Sequence, residues 1–168
     1  AGSSVSNWTG AANAARISIG ALVGSGSVVN TNASPAVLTL VNGSANGTFT
    51  GSVTLDSGSI ITIGHNRLGT SAGVTIATGT TLSLGGDETI DTLANSGTIT
   101  IGGVLTTGAI DYTLGGVLNG IGSLNKAGAG ILTLALATDH TGGTTVSAGT
   151  LLLGAAERLV DTGSLTVA

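Results

Sequence analysis

One short phrase recurs along this chain. A glycine is followed by Thr or Ser, then by alternating aliphatic and hydroxyl residues, and often by glycine again. It reads GSVTL at 51–55, GTTLSLGG at 79–86, GTITIGG at 97–103, GTLLLG at 149–154 and GSLTV at 163–167. Alternation with a period of two is the mark of a half-buried β-strand. Recurrence of one strand-and-turn unit in one direction and one phase is the mark of a solenoid. No stretch longer than a turn carries helical periodicity, so βαβ units are excluded.

An antiparallel sandwich has strands at similar intervals. The alphabet of this chain argues against it. Aromatic residues make up 2% of the 168 residues, too few for the usual sandwich core. Charged residues make up 7%, against roughly 25% in an ordinary soluble domain. The interior must be filled by Val, Ile, Leu and Ala, and the surface covered by Thr, Ser, Asn and Gly. Stacking like on like in parallel rungs suits such a sequence. We therefore expect an all-β parallel β-helix of roughly eight rungs, at about 20 residues each. Residues 1–16 read as an irregular N-terminal segment or cap, with a short helical turn at 11–16, and 17–168 as the solenoid. Strands are expected at 17–23, 36–41, 48–55, 59–63, 74–76, 80–84, 89–93, 98–101, 112–114, 123–124, 131–136, 144–146, 150–153 and 164–167.

Net charge is −4, and the basic residues are Arg16, Arg67, Lys126 and Arg158. Four scattered cations do not neutralise a row of phosphates, which argues against a nucleic-acid partner. No apolar run approaches the ~18 residues of a spanning helix, so membrane insertion of this segment is not expected. The chain has no Cys, which excludes thiol catalysis and Cys-based zinc sites. It starts at Ala1 without a signal-like segment, and we expect a mature, secreted chain.

Few residues suggest chemistry. His65, Asn66 and Arg67 form the most functionally dressed turn, since planar Arg and His suit a carboxylate or a sugar. The run 85–88 with Asp91 holds the densest carboxylates, but it occurs once and reads as a solvated turn rather than a calcium loop. Asp139 and His140 are neighbours in a turn without a partner nucleophile. Asp91 and Asp111 lie about one rung apart and would share a face, with Lys126 and Arg158 as distant partners. That set is thin for a polysaccharide lyase. No metal site, cofactor or catalytic group is assigned. The last residues stop in mid-strand, so Leu165 and Val167 are candidates for an end-to-end interface, as is Trp8 at the other end.

The stretch 120–154 reads GIGSLNKAGAGILTLALATDHTGGTTVSAGTLLLG, followed by TGSLTV at 162–167. It resembles the autotransporter-associated β-strand repeat, also called the passenger-associated transport repeat. Gly122, Ser123, Leu124, Lys126, Gly128, Gly130, Leu132, Leu134, Thr141, Gly142, Gly143, Thr144, Val146, Gly149, Thr150 and Leu151 fit the family pattern. Asn125, Ile131, Thr138 and His140 depart from it. The resemblance implies a right-handed parallel β-helix, exported to a bacterial surface and serving as a passenger stalk, adhesin or secretion aid without catalytic residues. The expected function is thus a non-catalytic structural solenoid, extracellular or at the bacterial cell surface. It would be an autotransporter-type stalk or a self-assembling filament subunit. The alternatives are an adhesin holding glycans or host matrix through its turns, and, less favoured, a polysaccharide lyase or hydrolase. Its expected partner is itself, stacked end to end or continued into further solenoid, with surface glycans as a second class.

Overall fold

The computed structural model describes residues 4–6, 16–19, 25–30, 37–40, 50–62, 64–68, 73–108, 110–156, 158–159 and 163–168. These residues contain twenty short strands and no helix. The first six are β1 (Ser4–Ser6), β2 (Arg16–Ile19), β3 (Ser27–Asn30), β4 (Val37–Leu40), β5 (Ser52–Leu55) and β6 (Ser59–Thr62). The next six are β7 (Gly73–Ile76), β8 (Thr81–Leu84), β9 (Glu88–Ile90), β10 (Thr92–Asn95), β11 (Thr98–Ile101) and β12 (Val104–Thr107). Then come β13 (Tyr112–Leu114), β14 (Val117–Gly120), β15 (Ser123–Lys126), β16 (Ile131–Leu134), β17 (Thr138–His140), β18 (Thr144–Val146), β19 (Thr150–Leu153) and β20 (Leu165–Val167).

Every pairing is parallel and joins strands from successive coils, which makes the fold a β-solenoid. The first sheet runs β1-β3-β5-β7-β10-β13-β16-β19, the second β2-β4-β6-β8-β11-β14-β17, and the third β9-β12-β15-β18-β20. Averaged over three sheets the twenty strands make about six full turns, while the first sheet alone stacks eight strands, one for each of the roughly eight rungs expected. The coils are not uniform. Ser4 pairs with Ser27 and Ser27 with Ser52, steps of 23 and 25 residues. Gly73 pairs with Thr92 and Ile131 with Thr150, steps of 19. The early coils use more chain, and among the described residues they add nothing to the third sheet.

Alternation along each strand builds the core. In β8 and β11 every second residue is buried, because successive side chains of a strand point to opposite faces. Register then stacks equivalent residues. Val53 lies on Val74 and Val74 on Leu93 in the first sheet, Ile60 on Leu82 and Leu82 on Ile99 in the second, and Leu105 on Leu124 in the third. All of these are at most 1% exposed. Corners form where the inward phase breaks. Ile90 and Leu93 are both buried although three residues apart, so 89–93 is not the single strand expected. The chain turns at Asp91 between β9 and β10. At another corner only glycine serves: Gly149 has φ +72°, and a Cβ there would run into the carbonyls of Gly128 and Gly130.

Candidate functional site

The chemistry of this molecule lies mainly inside it. Glu88, Lys126 and His140 each occupy an inward position of a strand and are at most 1% exposed. Each is in phase with a buried neighbour: Glu88 with Ile90, Lys126 with Leu124, His140 with Thr138. Glu88 departs from the solvated turn expected at 85–88, although Gly85 and Asp87 are exposed there, and His140 lies in a strand rather than at the turn position expected.

Glu88 sits where the third sheet begins. Its Oε1 accepts the Arg67 N–H at 2.7 Å and its Oε2 the Leu68 N–H at 3.2 Å. The Thr62 hydroxyl also acts on this carboxylate, without hydrogen-bond geometry. Burial pushes the carboxyl above its ordinary value, and the two amides, Thr62 and the Arg67 charge oppose that rise. The segment 64–68 thereby covers the edge of β9. Asn66, at φ +50°, donates its N–H to Asp87 O at 2.7 Å, and Leu68 drops into the core with no exposed surface.

His65, Asn66 and Arg67 therefore belong to an anchored loop whose outer side faces solvent. His65 Nδ1 lies 3.0 Å from the Asp87 N–H and 3.1 Å from Asp87 Oδ2, both side chains being well exposed. As an acceptor it holds the amide; with a proton it donates to the carboxylate. Asp87 Oδ1 meanwhile accepts the Val104 N–H at 2.7 Å. Asp111 does the same for Ile131 one coil on, also at 2.7 Å. These carboxylates cap amides of following coils, and among the described residues no three His, Cys, Asp or Glu converge as a metal site.

Lys126 ends β15 and gives its ammonium to the carbonyls of Gly128 and, at 3.5 Å, Ala148. It ties the turn after its own strand to the turn one coil later. Its surface is fully covered, although that cover is a thin layer of turn. Desolvation lowers its pKa, and the Asp111 charge works the other way. An ammonium committed to two carbonyls does not serve Asp91 or Asp111 as a catalytic partner. Those two residues do come from equivalent turns, between the third and first sheets.

His140 Nε2 lies 2.9 Å from Thr144 Oγ1 and 3.2 Å from Gly143 O, while Nδ1 is buried without a partner. Asp139 is exposed. Adjacent strand residues face opposite ways, so the two do not form a catalytic pair. At the far end Leu165 is 54% and Val167 72% exposed. With Val146, Leu151, Leu153 and Leu159 they line an apolar hollow of about 250 Å³. Trp8 lies outside the described residues, as does most of the helical turn expected at 11–16.

Fold and interior together define a parallel β-solenoid whose polar side chains chiefly fasten one coil to the next. Residues 124–153 match the family model of the passenger-associated transport repeat. The match runs from Leu124 in β15 to Leu153, the last residue of β19, and contains both Lys126 and His140. No curated protein and no solved structure matches the chain.

Proposed function

We propose that this chain is a non-catalytic structural segment of a secreted bacterial surface protein, a stalk of the autotransporter-passenger type. The observation that carries the reading is the transport repeat at 124–153, which coincides with 19- and 20-residue coils stacked without a break. Such a stalk works mechanically. Its backbone ladders and aliphatic columns resist local opening, and its Thr- and Asn-rich surface keeps it hydrated. Limited proteolysis tests this. A fragment spanning about 73–156 should survive a broad-specificity protease, and rapid cleavage throughout would sink the reading. Turnover of an acidic polysaccharide, lost on Asp91→Asn or Asp111→Asn, would replace it with an enzymatic one.

A second reading is favoured by the apolar hollow at Leu165 and Val167. An open strand edge with an apolar floor accepts another coil, supplied by a second copy in a self-assembling filament or by further solenoid. Electron microscopy of the chain at physiological salt would give fibres of uniform width if copies stack, and single short particles if they do not. The His65–Arg67 turn is the place to look for glycans, by array binding compared with Arg67→Ala.

A further inference from the structure

The hollow at the far end is built from the same residues that leave the backbone ladder open. Along this solenoid an inward residue donates its N–H to the following coil and an outward residue to the preceding one. Leu124 gives its N–H to Gly143 O and Thr138 to Arg158 O, whereas Thr98 turns back to Thr80 O and Thr150 to Gly130 O. In β19 the N–H groups of Thr150 and Gly154 are thus spent on the coil before. Those of Leu151 and Leu153 face the open side, since β19 is the last strand of the first sheet. The same two leucines floor the hollow with Leu159, and no charged side chain lines it. An edge with open donors over an apolar floor, without a charge to guard it, is a template for another strand.

The two ends of the rod match in register. On the first sheet a column of inward positions begins at Val5, opposite Val28, and ends at Leu151, opposite Leu132. On the second a column begins at Ile17, opposite Leu38, and reaches Thr138. An inward donor lies opposite the residue that follows its acceptor, as Leu124 lies opposite Thr144. The bond from Thr138 to Arg158 O therefore carries the second column on to Leu159. Resting on the reading that the open end accepts a second copy, we infer that copies join head to tail in one register. β1 of one copy pairs in parallel with β19 of the other, Val5 opposite Leu151 and Ile17 opposite Leu159. Leu151 N–H then donates to Ser4 O, and Leu153 N–H to Ser6 O, of the second copy. Among the described residues the first coils bring no strand to the third sheet, so the join rests on the first and second sheets. The same register sets Arg16 opposite Arg158. That like-charge pair opposes the join and is screened by salt, so the join is tested at physiological salt or above.

The chain has no Cys, so engineered cysteines read the register cleanly. Ser6 and Leu152 follow Val5 and Leu151 and lie opposite each other in the join. Leu152 is 50% exposed, so Leu152→Cys leaves the core intact. Paired strands lie about 4.8 Å apart, within the roughly 4.4–6.8 Å between Cα atoms that a disulfide spans. Mixed Ser6→Cys and Leu152→Cys chains should cross-link under mild oxidation. Ser6→Cys mixed with Thr133→Cys, which stands one coil deeper opposite Leu152, should not. Cross-links confined to pairs of Leu152→Cys chains, or to pairs of Ser6→Cys chains, overturn the head-to-tail register and leave the stacking of copies standing. Wild type that stays monomeric in sedimentation at every concentration overturns both. Should the cysteine variants not fold, wild-type hydrogen exchange decides. Raising the concentration through assembly should slow the Leu151 and Leu153 amides about tenfold or more, and unchanged exchange there in assembled protein sinks the register.

Discussion

At the scale of single residues, the polar groups inside this solenoid differ in what they contribute. Glu88 satisfies two amides of a loop that would otherwise end in an apolar core, but its carboxyl is desolvated there. Its folded pKa is raised, so its favourable contribution is complete below the ordinary carboxylate value and is lost as pH rises through the folded one. Glu88→Gln removes that dependence. Urea unfolding should therefore show wild type gaining on Glu88→Gln as pH is lowered from 7.5 to 4; an unchanged difference would mean that the carboxylate is better solvated than its position indicates. Lys126 poses the reverse question. Lys126→Met keeps the packing and removes two hydrogen bonds, whose carbonyls sit in a turn that water can reach. The expected loss is about 1 kcal/mol, below the ~1–3 kcal/mol of a sealed, orphaned polar group. A loss above about 3 kcal/mol in the same assay would show that the turn itself depends on the ammonium.

At the scale of strands and corners, Gly149 decides a turn within the transport repeat. Gly149→Ala imposes a Cβ on φ +72° and on two carbonyls, and should cost roughly 1–3 kcal/mol, more than the ordinary gain from a stiffer unfolded chain. Much of this level was legible in the sequence. TLSL and TITI, at 81–84 and 98–101, carry the alternation openly and became β8 and β11. Strands β14 and β17 did not show themselves, because Gly120, Thr138 and His140 stand at inward positions where an aliphatic residue would have completed the signal. Their register comes from neighbours instead, Leu118 lying on Ile99 and Thr138 on Leu118. The interior candidates were hidden for the same reason. Charge and polarity suggested turns at Glu88 and His140; the phase of Glu88 relative to Ile90 already pointed inward, whereas the polar Thr138 gave no such signal for His140. Only coil-on-coil stacking makes phase outweigh polarity. The anchoring of His65–Arg67 was beyond reach, since it depends on Glu88, some twenty residues later.

At the scale of the whole molecule, a solenoid is nearly one-dimensional: each coil touches its two neighbours, and stability is close to a sum of coil and interface contributions. This distinguishes it from a globular domain, where a core cavity weakens everything at once. Leu105 provides the test. It has no exposed surface and lies between Glu88 and Leu124 in the third sheet. Leu105→Ala should cost about 2–5 kcal/mol. In a globular domain that loss would appear at every amide protected by global unfolding. Here hydrogen exchange should place it on β9, β12 and β15 and on the strands beside them in the same coils. Amides of β3 and β5, several coils away, should keep their protection within a factor of about three. Uniform loss from β3 to β19 would mean that the coils unfold as one unit, and a stalk built from them would then fail as a whole rather than one rung at a time. Localised loss would mean that damage in one coil stays there, the property a long surface rod requires if it is to survive in the presence of proteases.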